Sequence, residues 1–197
     1  MYLDYINDSL YGKWKELEGH PAYLSKDISF NQIFQPIDQK LYEELEKKLD
    51  VSFPQGLLTL YSECNGFRLF LSSFSFFGLQ TGEGDMVPFD FYTENHNIHL
   101  RMRENGCDDT DWIFVGNYGR NYVFTIKRSA PSAFYLLENG KDKVIAIFDS
   151  LDEVIRYFIP RMIEHYDDNY VCDQPREKYK KIPALANALY DLSAVGL

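Results

Sequence analysis

The amino-acid sequence predicts an α+β fold, and three observations lead to that prediction. Amphipathic helical patterns fill the first third of the chain, short strand-like segments follow them, and another amphipathic helix comes after the last strand. Helices before and after a run of antiparallel strands are typical of an α+β domain. A chain of 197 residues is long enough to bury a substantial core, and it suits one domain with appended helices.

The N-terminal segment shows the first helical pattern. Apolar side chains recur in it at intervals of three and four residues: Leu3, Ile6, Leu10, Trp14 and Leu17. The pattern predicts an amphipathic helix that ends near Pro21 and packs on the core. A detachable helix that binds a partner is the alternative. Residues 22–36 show no clear period, and we interpret them as a connector.

Two short helices are predicted between Asp38 and Gly66. The first helix has three leucines spaced four residues apart on one face: Leu41, Leu45 and Leu49. Pro54 suits the first turn of the second helix, because its missing N–H is no loss there. The apolar side chains of the second helix are Leu57, Leu60, Tyr61 and Cys64. We expect Asn65 and Gly66 to end this helix, with Gly66 at positive φ.

A β-like region follows the second helix. Residues 69–79 are rich in Phe and predict a strand, a turn and a second strand. Residues 82–84 form a glycine-rich tip, and residues 88–97 have the composition of a loop. Residues 98–105 predict a short helix that is closed by Gly106.

Four further strands are predicted in the central part of the chain, joined by short turns. They cover residues 112–115, 122–126, 133–137 and 144–148, with a tight turn at residues 116–119. Ser150 and Glu153 then form a capping box for a helix. Pro160 lies inside the apolar pattern of that helix, and we expect it to kink or break the helix. Residues 167–181 predict a polar connector, and Pro183 opens a last helix.

The order of these elements resembles the SUKH superfamily, which includes fungal cell-wall regulators of the Smi/Knr type and many bacterial immunity proteins. The resemblance is carried by the two helices, the turn at Pro54, the Asn65-Gly66 pair and the aromatic strand after it. The segments 112–116 and 148–151 match later landmarks of the same family.

The resemblance covers residues 38–166 and implies a curved, mostly antiparallel sheet with helices packed on one face. It places a SUKH-like domain at residues 37–166. Residues 1–36 are then an N-terminal helix and connector, and residues 167–197 a C-terminal connector and helix packed on the same domain. The resemblance brings no catalytic residue with it.

The formal charge of the chain is −10 at pH 7. This charge argues against direct binding of nucleic acid, which needs cations to neutralise phosphates. An acidic surface that captures a basic protein explains the charge, and solubility is the alternative explanation. No signal segment and no apolar run of membrane-spanning length is present, and the three cysteines are scattered. We therefore expect a cytoplasmic protein that does not bind membranes.

No catalytic, cofactor or metal site is predicted. His96 and His99 stand three residues apart, but no third ligand at a zinc-site spacing accompanies them. Cys64 fits the inner face of its helix, which favours a buried thiol over a nucleophile. Three aspartates lie close together without the spacing of an EF-hand loop: Asp108, Asp109 and Asp111.

Residues 83–111 are the segment that tells most about function. Eight acidic and two basic residues give it a formal charge of −6, and aromatic residues are interleaved with the acids. This arrangement suits the capture of a basic protein surface, and simple solvation of the charges is the alternative. The predicted partner-binding residues are Glu83, Asp85, Phe89, Asp90, Phe91, Tyr92, Glu94, Asp108, Asp109 and Asp111.

The leading hypothesis from the sequence is a non-enzymatic immunity protein that binds and neutralises a cognate bacterial toxin. Many toxins of that kind are nucleases, and a nuclease needs a basic face to hold phosphate. A regulatory or scaffold protein of the Smi/Knr type, in signalling or cell-wall maintenance, is the alternative. A hydrolase that uses Asp108, Asp109 or His96 is a third hypothesis. The sequence specifies no cofactor and no oligomeric state.

Overall fold

The computed structural model describes residues 1–14, 31–70, 72–81 and 89–165. The helices in these ranges are α1 (Tyr2–Trp14), α2 (Gln39–Leu49), α3 (Gln55–Glu63), α4 (Phe91–Glu104) and α5 (Leu151–His165). The strands are β1 (Gln32–Ile33), β2 (Phe67–Leu69), β3 (Phe74–Phe76), β4 (Trp112–Tyr118), β5 (Tyr122–Lys127), β6 (Phe134–Glu138) and β7 (Val144–Phe148). The predicted tip at residues 82–84 and the predicted C-terminal connector and helix lie outside the described residues.

All seven described strands form one open antiparallel sheet. Each strand pairs with the next strand along the chain, so β1 lies at one edge and β7 at the other. The sheet and its helices confirm the predicted α+β fold. The predicted division of the chain at residues 36 and 166 stays a prediction. None of the helices in the described ranges combines the length and hydropathy needed to cross a bilayer.

Helix α5 packs on one face of the sheet through Phe158. The ring centroid of Phe158 lies 5.5 Å from that of Phe74, 5.1 Å from that of Phe124 and 5.8 Å from that of Phe148. These three rings come from β3, β5 and β7, so one helical side chain contacts the sheet from its centre to its edge. Contacts of this kind supply much of the stability of a core that is rich in aromatic residues.

Helix α4 lies next to β4, at a residue that the β3–β4 ladder does not reach. Phe114 pairs with Thr125 across the β4–β5 ladder. Thr125 follows Phe124 in the strand, so Phe114 and Phe124 point to opposite faces. The Asn95 side chain donates to the Phe114 carbonyl oxygen (2.7 Å) and accepts from the Phe114 N–H (2.9 Å). The His99 ring centroid lies 5.0 Å from that of Phe114, so α4 is held to β4 by both polar and aromatic contacts.

The start of α4 corrects the sequence analysis. The loop predicted at residues 88–97 is wrong beyond Asp90, because the helix begins at Phe91. Asp90 is the N-cap, and its carboxylate accepts a hydrogen bond of 2.9 Å from the Thr93 N–H. The buried side chains on the inner face then follow a helical spacing: Phe91, Ile98 and Met102.

Two further predictions are wrong for reasons of tertiary packing. The turn predicted at residues 116–119 is occupied by the end of β4. Gly116 lies in this strand beside a β-bulge, where a Cβ atom would collide with the backbone carbonyl oxygen of Ser75. Pro160 does not break α5, which continues to its end at His165. Buried apolar side chains on both sides of the proline hold that helix in place: Phe158, Ile159 and Met162.

The buried side chain of Asn65 joins the helices to the sheet. Its amide donates a hydrogen bond to the Leu79 carbonyl oxygen (2.8 Å), and its oxygen accepts from the Leu79 N–H (2.8 Å). The same oxygen accepts from the Tyr42 hydroxyl (2.5 Å) on α2. The backbone N–H of Asn65 donates to Phe34 O (3.0 Å), just after β1. Four segments distant in the chain therefore meet at one residue.

Gly66 follows Asn65 in a position that only glycine fits. It has the predicted positive φ, at +78°. The predicted helix end is nevertheless too late, because α3 ends at Glu63 and Cys64 is its extended C-cap. A Cβ atom on Gly66 would lie 2.6 Å from Phe76 O and 2.9 Å from Gly78 N. Glycine is therefore required at position 66 for two reasons. The backbone of residues 76–78 leaves no room for a Cβ atom, and the positive φ is one that other residues rarely adopt.

The Gly66→Ala substitution should destabilise the protein more than the Gly106→Ala substitution. Gly106 closes α4 as predicted, with φ +71°, and a Cβ atom added to it would meet nothing within 4 Å, so it serves as the control for the conformational cost alone. We expect Gly106→Ala to lower the free energy of unfolding by about 1 kcal/mol and Gly66→Ala to lower it by at least about 1 kcal/mol more. Urea denaturation measures both values. If both substitutions lowered the free energy of unfolding equally, the close backbone contact at Gly66 would not contribute to stability.

Candidate functional site

Helix α4 and the loops at its two ends carry the predicted site residues that the structure describes. Glu83 and Asp85 lie outside the described residues. The remaining residues fall into two groups, because residues 89–94 lie at the start of α4 and residues 108–111 follow its end. A helix of 14 residues is about 21 Å long at 1.5 Å per residue. The structure therefore does not bring the aromatic residues and the aspartate cluster together into one small patch.

The three aromatic residues of the first group differ in exposure. Phe91 is 1% exposed, and its ring centroid lies 6.1 Å from that of Phe53 in the core. Phe89 is half-buried, 6.1 Å from Phe77 between ring centroids. Tyr92 is 42% exposed, and Lys48 Nζ lies 4.3 Å from its ring centroid. Tyr92 is the most exposed of these three rings, whereas Phe91 is too deeply buried for the role predicted for it.

The two acids of the first group have local roles in α4. Asp90 caps the helix and also accepts a hydrogen bond from the Gln80 N–H (3.1 Å), so its carboxylate ties two segments together. Glu94 is half-buried. Burial raises the pKa of Glu94, and the nearby Arg101 opposes that rise while Asp90 adds to it. Neither carboxylate is therefore free at the surface to pair with a cation of a partner protein.

Asp108 and Asp111 present ordered carboxylates in the loop between α4 and β4. Asp108 is exposed and accepts hydrogen bonds from the Thr110 N–H (3.0 Å) and hydroxyl (2.9 Å). Asp111 accepts from the Ser129 N–H (2.8 Å) and hydroxyl (2.6 Å). These hydrogen bonds lower the pKa of both carboxyl groups, so both remain ionised at neutral pH.

Asp109 is buried between two side chains of α4 and is not part of that surface. Arg103 Nε donates to its carboxylate at 2.7 Å, and His99 Nδ1 lies 3.0 Å from the same oxygen. Burial lowers the pKa of His99, and this effect outweighs the attraction of Asp109. The imidazole is therefore neutral at pH 7 and acts as a hydrogen-bond donor, while Arg103 supplies the positive charge. Asp109 holds the acidic loop to the helix.

The remaining candidates for chemistry lie apart from one another. Among the described residues, no three His, Cys, Asp or Glu side chains come close enough to hold a metal ion. His96 is exposed on α4, while His99 faces Asp109. Burial raises the pKa of the Cys64 thiol to about 12, so the thiolate needed for nucleophilic attack is scarce at neutral pH.

Sequence reasoning missed two features of this loop. Glu104 was counted among the acids of residues 83–111 but not among the predicted partner-binding residues, and it is exposed at the last position of α4. His99 and Arg103 are four residues apart on the helix, so they share the face on which Asp109 is bound. That spacing was the available signal, because both residues lie inside the helix predicted at residues 98–105. It does not show that Asp109 folds back against this face.

The comparison with protein families identifies the family of this chain. A model of the SMI1 / KNR4 family (SUKH-1) matches residues 36–157, which is more than half of the chain. This chain belongs to the SMI1 / KNR4 family (SUKH-1). The match confirms the SUKH resemblance, and the SUKH-1 segment includes α4 and its acidic loop. The family includes toxin immunity proteins, and its members are generally non-enzymatic. No curated protein matches the chain.

Protonation of His99 should make the stability of this SUKH-1 domain depend on pH. The unfolded imidazole takes up a proton near pH 6.5, whereas the folded one does so only at lower pH because its pKa is lowered. The free energy of unfolding should therefore fall as the pH decreases through about 6.5, and level off once the folded His99 is protonated. The His99→Asn substitution should reduce this slope.

Urea denaturation at several pH values between about 5 and 7.5, where free histidines titrate, measures that slope. His96→Asn is the matched control, because His96 is exposed on the same helix. The same slope in His99→Asn as in the parent protein would contradict the burial effect assigned to His99.

Proposed function

We propose that this chain is a non-enzymatic immunity protein of the cytoplasm that binds a cognate bacterial toxin and neutralises it. The observation that carries the proposal is the ordered acidic loop between α4 and β4 in a member of the SUKH-1 family. Asp108 is exposed in this loop and Asp111 is half-exposed, and Glu104 is exposed at the end of α4 that precedes the loop. A toxin that acts on nucleic acid is the kind of partner whose surface fits this loop.

The chemistry of a nuclease supports this choice of partner. A protein that cleaves nucleic acid must hold phosphates on a basic surface. An acidic inhibitor can cover that surface, and its charge also increases the rate of encounter. The formal charge of −10 acts in the same direction over the whole chain. The same negative charge repels nucleic acid, so nucleic acid does not compete with the toxin for binding to this chain.

The internal contacts of the loop favour tight binding. Asp109 is held by Arg103 and His99, and the neighbouring carboxylates of Asp108 and Asp111 are held by hydroxyl and N–H groups. A loop that is ordered before binding loses less conformational entropy when the complex forms. The fixed carboxylates can then pair with cations of the partner without a prior rearrangement.

Tyr92 is the aromatic residue that can join this interface. It lies at the other end of α4, with its ring exposed beside Lys48. A standard interface covers about 800 Å² on each protein, which corresponds to a disc about 30 Å across. One partner can therefore contact both the acidic loop and Tyr92, with α4 running between them.

Capture of the partner tests the proposal directly. The purified chain, immobilised, is exposed to an extract of the cells that encode it, and the retained proteins are identified. The proposal expects one retained protein that stops growth when it is expressed alone and is harmless when it is expressed with this chain. Retention of signalling or cell-wall proteins without such toxicity would instead favour a regulatory scaffold.

Neutralising two charges of the loop should slow association with the captured toxin. We expect the double variant Glu104→Gln/Asp108→Asn to lower the association rate constant about threefold or more at low ionic strength, because charges at the rim act mainly on encounter. The dissociation rate constant should change little, and added salt should reduce the difference. Surface-based binding kinetics at two salt concentrations measure these constants.

The double variant Glu43→Gln/Glu44→Gln is the matched control. Both glutamates are exposed on α2, and their replacement removes the same net charge. The two double variants therefore differ only in where the charge is lost. Equal slowing by both would mean that total charge alone steers the toxin, and no effect of either would place the interface elsewhere.

A further inference from the structure

Strand β7 is an exposed edge of the sheet that consists only of apolar residues. It reads Val-Ile-Ala-Ile-Phe and lies outermost, with β6 on one side and no strand of the described residues on the other. Val144 is 42% exposed and Ile147 is 58% exposed. Edge strands of stable monomers usually carry a charge or a proline that blocks pairing with another chain. Within β7 there is neither. The strand does carry a bulge at Ile145, because Leu136 pairs with Ala146 and Leu137 with Val144.

The charges next to β7 lie immediately outside its two ends. Lys143 precedes the strand and Asp149 follows it, and both are exposed. This order makes the strand complementary to itself in an antiparallel arrangement. A two-fold axis at Ala146 places Lys143 of one copy near Asp149 of the other, and the symmetry produces this pair twice.

We propose that this protein forms a two-fold symmetric homodimer in which β7 pairs with β7 of a second copy, so that two seven-stranded sheets become one. Main-chain hydrogen bonds along both exposed edges supply the pairing, as in other cases of strand addition. Ile147 and Val144 lose their exposure to water in the dimer. The Lys143–Asp149 pairs select the antiparallel register centred on Ala146 over registers shifted along the strand.

The existing contacts of Lys143 permit this arrangement. Lys143 Nζ lies 3.3 Å from Glu138 Oε2, in an exposed ion pair of low energetic value. Lys141 contacts the other carboxylate oxygen of Glu138, so Glu138 keeps a cation when Lys143 turns towards the second copy. A second copy is favoured over an unrelated strand because it supplies the opposite order of charges by symmetry.

Sedimentation velocity of the full chain over a wide range of protein concentrations tests the proposal. The parent protein should show a monomer–dimer equilibrium. Ile147→Lys introduces a charge at an exposed position in the middle of the pairing, and it should raise the dimer dissociation constant by about tenfold or more. Leu100→Lys is the matched control, since Leu100 is 47% exposed on α4, and it should leave the dissociation constant unchanged. Circular dichroism verifies that both variants are folded.

Charge reversal tests the register separately. Lys143→Glu alone and Asp149→Lys alone each place like charges opposite one another and should weaken the dimer. The double variant Lys143→Glu/Asp149→Lys restores opposite charges and should recover most of the affinity. A parent protein that is monomeric at every concentration would overturn the proposal, and so would a dimer that Ile147→Lys leaves intact. A dimer that Ile147→Lys disrupts but charge reversal does not affect would overturn the register.

Discussion

The buried amide of Asn65 is the interaction on which the position of the candidate site depends. It satisfies both backbone groups of Leu79 and accepts a hydrogen bond from Tyr42. The same segment is also bound to the start of α4, because Gly78 exchanges backbone hydrogen bonds with the two residues that flank Asp90. A buried polar group left without a partner costs about 1–3 kcal/mol, so the loss of any one of these contacts weakens the junction by an amount of that order. Asn65 and the glycine that follows it thus help to place α2, α3, β3 and the start of α4 relative to one another.

Much of the fold was predictable because its signals are local. The leucine spacing of α2, the proline before α3 and the apolar runs of the central strands each depend on neighbours in the sequence. The errors occur where distant residues decide the outcome. Gly116 looks like a turn glycine, but it is a strand residue because the backbone of Ser75 approaches it. Pro160 looks like a helix breaker, but buried side chains on both sides of it hold α5 together.

The candidate site was predictable in composition and not in geometry. The acidic character of residues 83–111 is visible in the sequence, and Asp108 and Asp111 do lie at the surface of the loop. Burial is a property of the packed sheet, and the sequence did not show that Phe91 faces the core or that Asp109 is enclosed by α4. The loop therefore has two layers. An inner carboxylate fixes its position, and outer carboxylates provide the charge that a partner meets.

Family membership and the ordered acidic loop together support an inhibitor that works by covering a basic surface. The central claim is that binding by this chain abolishes the activity of a toxin while the chain itself carries out no reaction. Titration of the captured toxin's activity with the purified chain tests this claim most directly. The account predicts that activity falls linearly to zero at one chain per toxin molecule, with no turnover by the chain alone. A toxin that stays fully active when saturated with the chain would contradict it.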